Sequence, residues 1–373
     1  MVALGLVACG GPVDRDAGRD GLQGTGANGS GTPAGPSEEI GTTGVETGEP
    51  IMLPPPAACA TGGRFDVVQG AQHMFGIAYS PDGAAMAAGS EGPSPNAILV
   101  EADDGAVKRS LPGHGNATYA AAFSPDGKVL ATGGVEAGQV HSTGVGSDIV
   151  KLWDVSTGQL LRTLPATCGF YAINVEFSHD GSLLVTAGYH GPIEVWRVAD
   201  GTRVLAIPYE TTVYTARFSP DDSLLATAGM DGVVTIWRVA DGHMVHELRA
   251  HRAAASDAAF SPDGTELATT SNDKTAIIWS VEEGVPTGIL RGYDANITHG
   301  AWIDKDRIVT NDWKGSVMLW SRGANGRFGP AATCAWSTMS QSVGLALSPD
   351  RKWLSATGTS SNGDEPGIWT WPL

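Results

Sequence analysis

The stretch Phe260-Ser261-Pro262-Asp263-Gly264 decides the fold, because it recurs along the whole chain. A second intact copy is Phe123-Ser124-Pro125-Asp126-Gly127, and altered copies begin at Tyr79, Phe177, Phe218, Trp302 and Leu347. We call this stretch the tag. The tags are 44, 54, 41, 42, 42 and 45 residues apart. A period near 42 residues is typical of repeat architectures, and the sequence between tags decides which one.

One unit, residues 218–249, has the pattern of four short β-strands. Ser219-Pro220-Asp221-Asp222 is a turn sequence, and the short apolar run 224–228 follows it. Residues 233–239 are β-branched and aromatic, which suits a half-buried strand, and residues 243–249 form the fourth. No helical periodicity is visible. The sequence therefore predicts an all-β chain: a seven-bladed β-propeller of four-stranded antiparallel blades.

The two ends of the chain predict how the ring closes. The last unit stops after its third strand, residues 367–373, and has no fourth. Residues 64–69 precede the first tag at the distance expected of an outer strand. We therefore expect this N-terminal strand to complete blade seven. The predicted propeller domain covers residues 58–373.

The third strands end in Trp followed by a polar residue, as in Trp153-Asp154 and Trp279-Ser280. With this ending and the repeated tag, residues 64–373 resemble the WD-repeat family. The family's structural hydrogen-bond set is matched by His251, Asp273 and Trp279, with a hydroxyl from 269–271 joining, and in part by His114 and Trp153. The departures are Val100 at the Trp position of blade one, and His190 and Lys314 at the Asp position of blades three and six.

The resemblance also implies a partner-binding face at the mouth of the central channel. Two registers line that mouth in the family: the position four residues before each tag, and the turn before the third strand. Inter-blade packing is the alternative, which we favour for Phe75 and Ile173. The residues assigned to this face are Tyr119, Tyr171, Tyr189, Tyr214, Met230, Asn272, Trp313 and Trp336.

Three connections between second and third strands are long: residues 89–96, 133–147 and 358–367. They belong to blades one, two and seven, which are contiguous in the ring. We expect them to form a wall along one sector of one face, although loops of this kind are also tolerated without a function.

The N-terminal residues differ in composition from the repeats. Residues 1–9 end in Leu6-Val7-Ala8-Cys9, which resembles a bacterial lipobox, so Cys9 is the predicted lipidation site. No basic residue precedes the run, and eight residues are short for a secretory core. Residues 10–57 are rich in Gly, Pro and acids and are predicted to be a disordered tether. We expect an envelope location with a lipid anchor, at the outer membrane or the periplasmic side; a cytoplasmic protein is the alternative.

The other cysteines are Cys59, Cys168 and Cys334. A disulfide between Cys59 and Cys334 would lock the closure in an oxidising compartment, and small buried thiols are the alternative. An odd number of thiols cannot all pair.

Charge and motifs narrow the function. The net charge is −17, and residues 1–57 contribute −5 of it, so nucleic-acid binding is not expected. The sequence lacks the common hydrolase, phosphate-binding and metalloprotease motifs, and we predict no cofactor and no metal. His243 and His246 would point to opposite faces of a strand. Only Glu176, Arg217, Asp257 and His299 place charged or titratable groups near the inner-strand register.

These observations favour a non-enzymatic, monomeric platform that binds a protein or peptide partner and contacts a membrane only through its lipid. One alternative is an envelope assembly factor that binds β-strands of client proteins. The other is an enzyme or small-ligand sensor that uses the central channel.

Overall fold

The predicted fold is confirmed. The computed structural model describes residues 64–67, 73–92, 96–135, 150–167, 171–335, 339–360 and 365–373. Across this part of the chain the strands form seven four-stranded antiparallel sheets, and no helix is present. Accordingly, no helix that could cross a membrane is found within these ranges.

The strands are numbered β1–β28 in chain order, and each blade contributes one strand to each of four concentric layers. The innermost strands are β2 (Met74–Tyr79), β6 (Ala117–Phe123), β10 (Ala172–Phe177), β14 (Val213–Phe218), β18 (Ala255–Phe260), β22 (Ile297–Asp304) and β26 (Met339–Leu347). The second strands are β3 (Ala85–Ser90), β7 (Val129–Val135), β11 (Leu183–Gly188), β15 (Leu224–Gly229), β19 (Glu266–Ser271), β23 (Arg307–Asp312) and β27 (Trp353–Ser360).

The third strands are β4 (Ala97–Glu101), β8 (Val150–Asp154), β12 (Ile193–Arg197), β16 (Val234–Arg238), β20 (Ala276–Ser280), β24 (Ser316–Arg322) and β28 (Pro366–Pro372). The outer strands are β5 (Val107–Leu111), β9 (Leu160–Leu164), β13 (Arg203–Ile207), β17 (Met244–Leu248), β21 (Pro286–Leu290), β25 (Phe328–Ala335) and β1 (Arg64–Val67). Blade one therefore begins at β2, and blade seven consists of β26, β27, β28 and β1.

The ring closes through the N-terminal strand, as the sequence predicts. β1 pairs antiparallel with β28, with Arg64 opposite Thr370 and Val67 opposite Gly367. Each innermost strand contacts the innermost strands of both neighbouring blades, including β2 with β26. The inner strands therefore surround a central channel, as in other propellers.

The core lies between the blades rather than inside any one of them. One buried cluster joins Ala226 and Ile236 of blade four to Leu267 and Trp279 of blade five. Trp279 is 2% exposed. Because each blade packs both of its faces against neighbours, its second and third strands are buried along most of their length, with little alternation.

The tags are turns at the end of the inner strands. In blade two, Ser124 Oγ donates to Asp126 Oδ1 (2.7 Å), and Val129 N donates to Ser124 Oγ (2.9 Å). Gly127 has φ +71°, which a glycine adopts without strain. In the altered tags of blades four and seven, Asp222 and Arg351 take this left-handed position, each with φ 59°.

Candidate protein-interaction face

Blade five contains the hydrogen-bond set suggested by the family resemblance. His251 lies between two partners: its Nδ1 is 3.1 Å from Asp273 Oδ2 and its Nε2 is 2.8 Å from Thr269 Oγ1. The indole Nε1 of Trp279 donates to the same Thr269 oxygen (2.9 Å). Burial alone would raise the pKa of Asp273, but hydrogen bonds from His251, Thr275 and Arg252 N outweigh it and hold the pKa below its usual value. This set ties the turns of the blade to its strands and is structural.

The Thr–Trp hydrogen bond, which the sequence predicts only in blade five, recurs in more blades than the full set. In blade two, Trp153 Nε1 donates to Thr132 Oγ1 (2.8 Å), which is also 3.2 Å from His114 Nε2. The same Trp-to-Thr bond joins further pairs in blades three, four and six: Trp196 with Thr186, Trp237 with Thr227, and Trp320 with Thr310. A threonine two residues after the second-strand residue opposite each Trp is the signal that sequence inspection could have used.

Blades one and seven lack this bond. In blade one, Met86 lies opposite Val100, and Ala88 takes the threonine position. In blade seven, Leu354 lies opposite Trp371, and Ala356 takes the threonine position. In blade six the histidine role passes to Tyr293, whose hydroxyl is 2.7 Å from Thr310 Oγ1.

Every inner strand carries an irregularity at the register four residues before its tag. In blade two the pairing with β7 shifts between Thr118 and Ala120, so Tyr119 is the extra residue of a β-bulge. The corresponding shifts in the other blades enclose Phe75, Ile173, Tyr214, Ser256, Thr298 and Val343. Because a bulge re-aims its side chain, this register is displaced from the regular inter-blade packing in each blade.

A hydrogen bond joins the second predicted register to the same face in blades three to six. The backbone N–H of Met230 donates to Thr212 O (2.9 Å), just before the inner strand of its own blade. Equivalent bonds run from Tyr189 to Tyr171, from Asn272 to Ala254 and from Trp313 to Asn296. Both registers therefore lie at the end of the blade where the inner strand begins, opposite the tags. We call this end the interaction face.

Four aromatic rings form a continuous row on this face across blades one to three. Phe75 and Tyr119 have ring centroids 4.8 Å apart, Tyr119 and Tyr171 5.6 Å, and Tyr171 and Tyr189 5.8 Å, all edge to face. All four side chains are half-buried. Burial, and then the negative charge of Glu91, raise the pKa of Tyr119, so its hydroxyl stays protonated. We call this set the aromatic row.

The remaining predicted residues are not part of the row. Tyr214, Met230, Asn272 and Trp313 are half-buried and belong to blades four to six. Asn272 Oδ1 accepts a hydrogen bond from Ser256 Oγ (3.2 Å), which links the two registers of blade five. Trp336, Cys9, Cys59 and Cys168 lie outside the described residues, as do residues 93–95, 136–147 and 361–364 of the three long connections.

Two inner-strand registers divide the ring into unlike parts. These registers are the third residue and the first residue before each tag. In blades seven, one and two they hold only glycine and alanine: Gly344, Ala346, Gly76, Ala78, Ala120 and Ala122. We call these blades the small-residue arc. Blades three to six, the polar arc, carry Asn174, Glu176, Thr215, Arg217, Asp257 and His299 at these registers, with alanine at the remaining two.

The polar arc brings together the charged groups noted in the sequence. Arg217 Nη2 donates to Asp257 Oδ2 (3.1 Å), and its Nε is 3.9 Å from Glu176 Oε2. Burial raises the pKa of Glu176 to about 7, against the lowering effects of Arg217, Phe218 N and His179; Asp257 raises it further. Burial lowers the pKa of His299, whose imidazole is therefore neutral at pH 7. Within the described part of the chain, no group of three or more His, Cys, Asp or Glu side chains is placed to hold a metal ion.

Comparison with known proteins agrees with this geometry. Residues 105–154, 203–238 and 242–280 match the family WD domain, G-beta repeat. The match and the fold together support a WD40 β-propeller. Each matched segment begins in or just before the outer strand of one blade and ends with the third strand of the next. The sequence repeat is thus offset from the blade by one strand, which is the same offset that leaves β1 to close blade seven.

Two curated proteins are similar to part of this chain. Telomerase protein component 1 of Rattus norvegicus is 32% identical over 120 residues, and that of Mus musculus is 30% identical over 120 residues. Each alignment covers 32% of this chain and 4% of the relative. The chain therefore spans a small fraction of these relatives. WD40 propellers generally bind protein partners and are generally scaffolds without catalytic activity.

Proposed function

We propose that this protein is a non-enzymatic platform that binds a protein or peptide partner on the interaction face, with the aromatic row as its anchor. The observation that carries the proposal is the row itself, in which half-buried rings lie in contact across three adjacent blades. Tyrosine offers a large contact area with few rotatable bonds and a hydroxyl for hydrogen bonding. Such residues dominate binding energy at protein interfaces.

The bulges support the same proposal. A side chain needed only for inter-blade packing fits a regular strand, yet the register of Phe75 and Tyr119 is bulged in all seven blades. The bulged residue is large and aromatic in blades one, two and four, and small and hydroxylated in blades five and six. The apolar contact area on this face is therefore concentrated in one sector, as expected of a surface that recognises a particular partner.

The test is crosslinking and affinity purification of tagged full-length protein from its own cells, comparing Tyr189→Ala and Trp313→Ala with the wild type. We expect each variant to retain its melting temperature and to reduce capture of the wild-type partner about tenfold or more. The matched control is Trp353→Ala, because Trp353 is an aromatic residue 43% exposed beside the tag of blade seven, at the opposite end. Equal capture by all variants would refute the interaction face, and a large loss of stability would assign Tyr189 and Trp313 to the core.

We also propose that a lipid on Cys9 tethers the propeller to the cell envelope. The support is the lipobox-like sequence Leu6-Val7-Ala8-Cys9, followed by a Gly-rich stretch that could serve as a flexible link. Metabolic labelling with palmitate should mark the wild type and not Cys9→Ser, and membrane fractions should contain only the wild type. Absence of label with a cytosolic distribution would reject the anchor and leave the interaction face unaffected.

A further inference from the structure

The polar arc places the carboxylate of Glu176 at the wall of the central channel. In its sheet, β14 pairs with β15 on one edge only, so its other edge faces the channel. On that free edge, Ala216 N donates to Asn174 Oδ1 (3.1 Å) and Phe218 N donates to Glu176 Oε1 (3.0 Å). The side chains of blade three therefore reach across the channel edge of blade four. The Glu176 side chain is 27% exposed.

Asp257 of blade five covers the edge of blade six in the same way, but its negative charge is better compensated by hydrogen-bond donors. Asp257 Oδ2 accepts hydrogen bonds from Gly300 N (3.2 Å) on β22 and from Arg217 Nη2 (3.1 Å). Its Oδ1 accepts Ala258 N (2.9 Å). Asp257 thus takes most of the stabilising effect of the guanidinium, with its side chain 2% exposed.

Glu176 is the carboxylate left with little compensation. Its Oε2 lies 3.9 Å from Arg217 Nε, and no hydrogen bond to this oxygen is found among the described residues. Two carboxylates share one guanidinium, and the neutral imidazole of His299 adds no positive charge. The cluster of Glu176, Arg217, Asp257 and His299 therefore has more negative than positive charge, which favours binding of an additional cation. His299 Nδ1 is also buried and has no hydrogen-bond partner in the described ranges.

At the same two registers, the described strands of the small-residue arc offer no competing polar group. They present only hydrogen atoms or methyl groups, from glycine and alanine. The net charge of the chain is −17, which raises the local concentration of cations.

We propose that Glu176, supported by Arg217 and Asp257, binds a primary ammonium group in the central channel. The ammonium donates a hydrogen bond to Glu176 Oε2, the oxygen with free acceptor capacity. An ammonium fits better than a second guanidinium, because a compact point charge does not need two parallel acceptors. This site lies apart from the aromatic row and goes beyond the proposed function. The ammonium could come from a small free amine or from a lysine side chain of a partner.

The experiment is isothermal titration calorimetry of the full chain with 1,4-diaminobutane and, separately, with an N-acetylated peptide amide that contains one lysine. It is run at pH 7 in two amine-free buffers of different ionisation enthalpy. Because Glu176 is about half protonated at pH 7 and binding favours its ionised form, we expect release of about half a proton per site. Glu176→Gln should abolish this release and weaken binding more than tenfold.

Two controls make the outcome specific. Glu247→Gln removes an exposed carboxylate from outer strand β17 and should change neither affinity nor proton release. Tyr189→Ala should also leave binding unchanged. Binding of the diamine assigns the site to a free amine, and binding of the peptide alone assigns it to a partner's lysine. Binding of neither, or equal binding to Glu176→Gln in a variant with native melting temperature, would overturn the proposal.

Discussion

The small-residue arc and the polar arc solve the same structural problem in different ways. Every inner strand has a free edge that faces the channel, where backbone N–H groups lack a strand partner. In the polar arc, side chains such as Asn174 and Asp257 cover that edge of the next blade. In the small-residue arc, the strands approach closely instead: a Cβ on Gly76 would lie 2.7 Å from Tyr119 O. Capping therefore permits charge in the channel wall, and close approach excludes it.

The two arcs differ in their outer layers as well. The Thr–Trp hydrogen bond stabilises every blade of the polar arc but is absent from blades one and seven of the small-residue arc. Two of the four residues of the aromatic row, Phe75 and Tyr119, and the three long connections also belong to the small-residue arc. The least regular sector of the ring thus carries half of the aromatic row and all three long connections, which agrees with the general location of function on variable parts of a rigid scaffold.

The largest effect is expected from removing the hydrogen-bond set of blade five. Thr269→Val keeps the shape but leaves both Trp279 Nε1 and His251 Nε2 without their partner. We expect a loss of about 3 kcal/mol in the free energy of unfolding, because buried unsatisfied groups are costly. Thr227→Val in blade four, where the hydroxyl accepts from Trp237 and has no histidine partner among the described residues, should cost about 1 kcal/mol. Urea denaturation measures both, and equal losses would contradict the role of His251.

A smaller effect should separate the two arcs at one register. Gly76→Ala places a methyl group 2.7 Å from Tyr119 O and 3.1 Å from Ala120 Cα, both backbone atoms, and should destabilise the protein by about 2 kcal/mol. Asn174→Ala, at the same register of the polar arc, removes only a cap on Ala216 N at the channel edge and should cost less than about 1 kcal/mol. If Asn174→Ala proved the more harmful, close approach would not be what holds the small-residue arc together.

The fold could be predicted from the sequence because its signals are local. The tags specify turns through Ser, Asp and Gly in fixed positions, and their count gives the number of blades. The closing strand was predicted because residues 64–69 stand where an outer strand belongs, and the structure places β1 at residues 64–67. The altered tag at Trp302 forms a shorter turn, in which Asp306 N donates to Asp304 Oδ1 (2.9 Å). Its position in the repeat still identified it.

The candidate sites could be predicted only in part. The registers of Tyr119 and Tyr189 follow from counting back from the tags, but the contact between those rings through Tyr171 depends on how adjacent blades pack. The charged or titratable side chains of Glu176, Arg217, Asp257 and His299 were visible but dispersed over about 120 residues of sequence. Their convergence is a property of the ring, since one register repeated in four successive blades becomes one continuous wall. The sequence pattern does not predict that Arg217 lies closer to Asp257 than to Glu176, because these distances depend on how the blades pack.

The pH dependence of stability offers a further test of the polar arc. Because the pKa of folded Glu176 is raised to about 7, its contribution to stability is fully present below its ordinary pKa and is lost as pH rises through about 7. Glu176→Gln lacks this titration. We expect wild type to lose about 1 kcal/mol relative to the variant between pH 5 and pH 8, after allowance for solvent screening. If the melting temperatures of wild type and Glu176→Gln changed with pH in parallel, the pKa of Glu176 would not be raised in the folded protein.

Contacts between the tags of adjacent blades should be of similar strength in both arcs. The boundary between blades three and four tests this. In most blades the tag glycine faces the proline of the preceding tag; a Cβ on Gly127, for example, would lie 3.5 Å from Pro81 Cδ. Between blades three and four both residues are replaced. Asp222 Oδ1 accepts a hydrogen bond from His179 N (2.8 Å) and is 2.9 Å from His179 Nδ1, while its Oδ2 accepts Asp180 N (3.0 Å).

The double variant His179→Pro with Asp222→Gly restores the ordinary pair and should have the smallest effect of all, within about 0.5 kcal/mol of wild type. His179→Pro alone removes two contacts to Asp222 and should cost about 1 kcal/mol, since Asp222 then keeps its left-handed φ of 59° without those contacts. Asp222→Gly alone relieves the backbone strain but frees two exposed N–H groups, and should cost less. A coupling energy near zero in the double-mutant cycle would mean that the two replacements are independent. In that case His179 and Asp222 would not compensate for each other at this boundary.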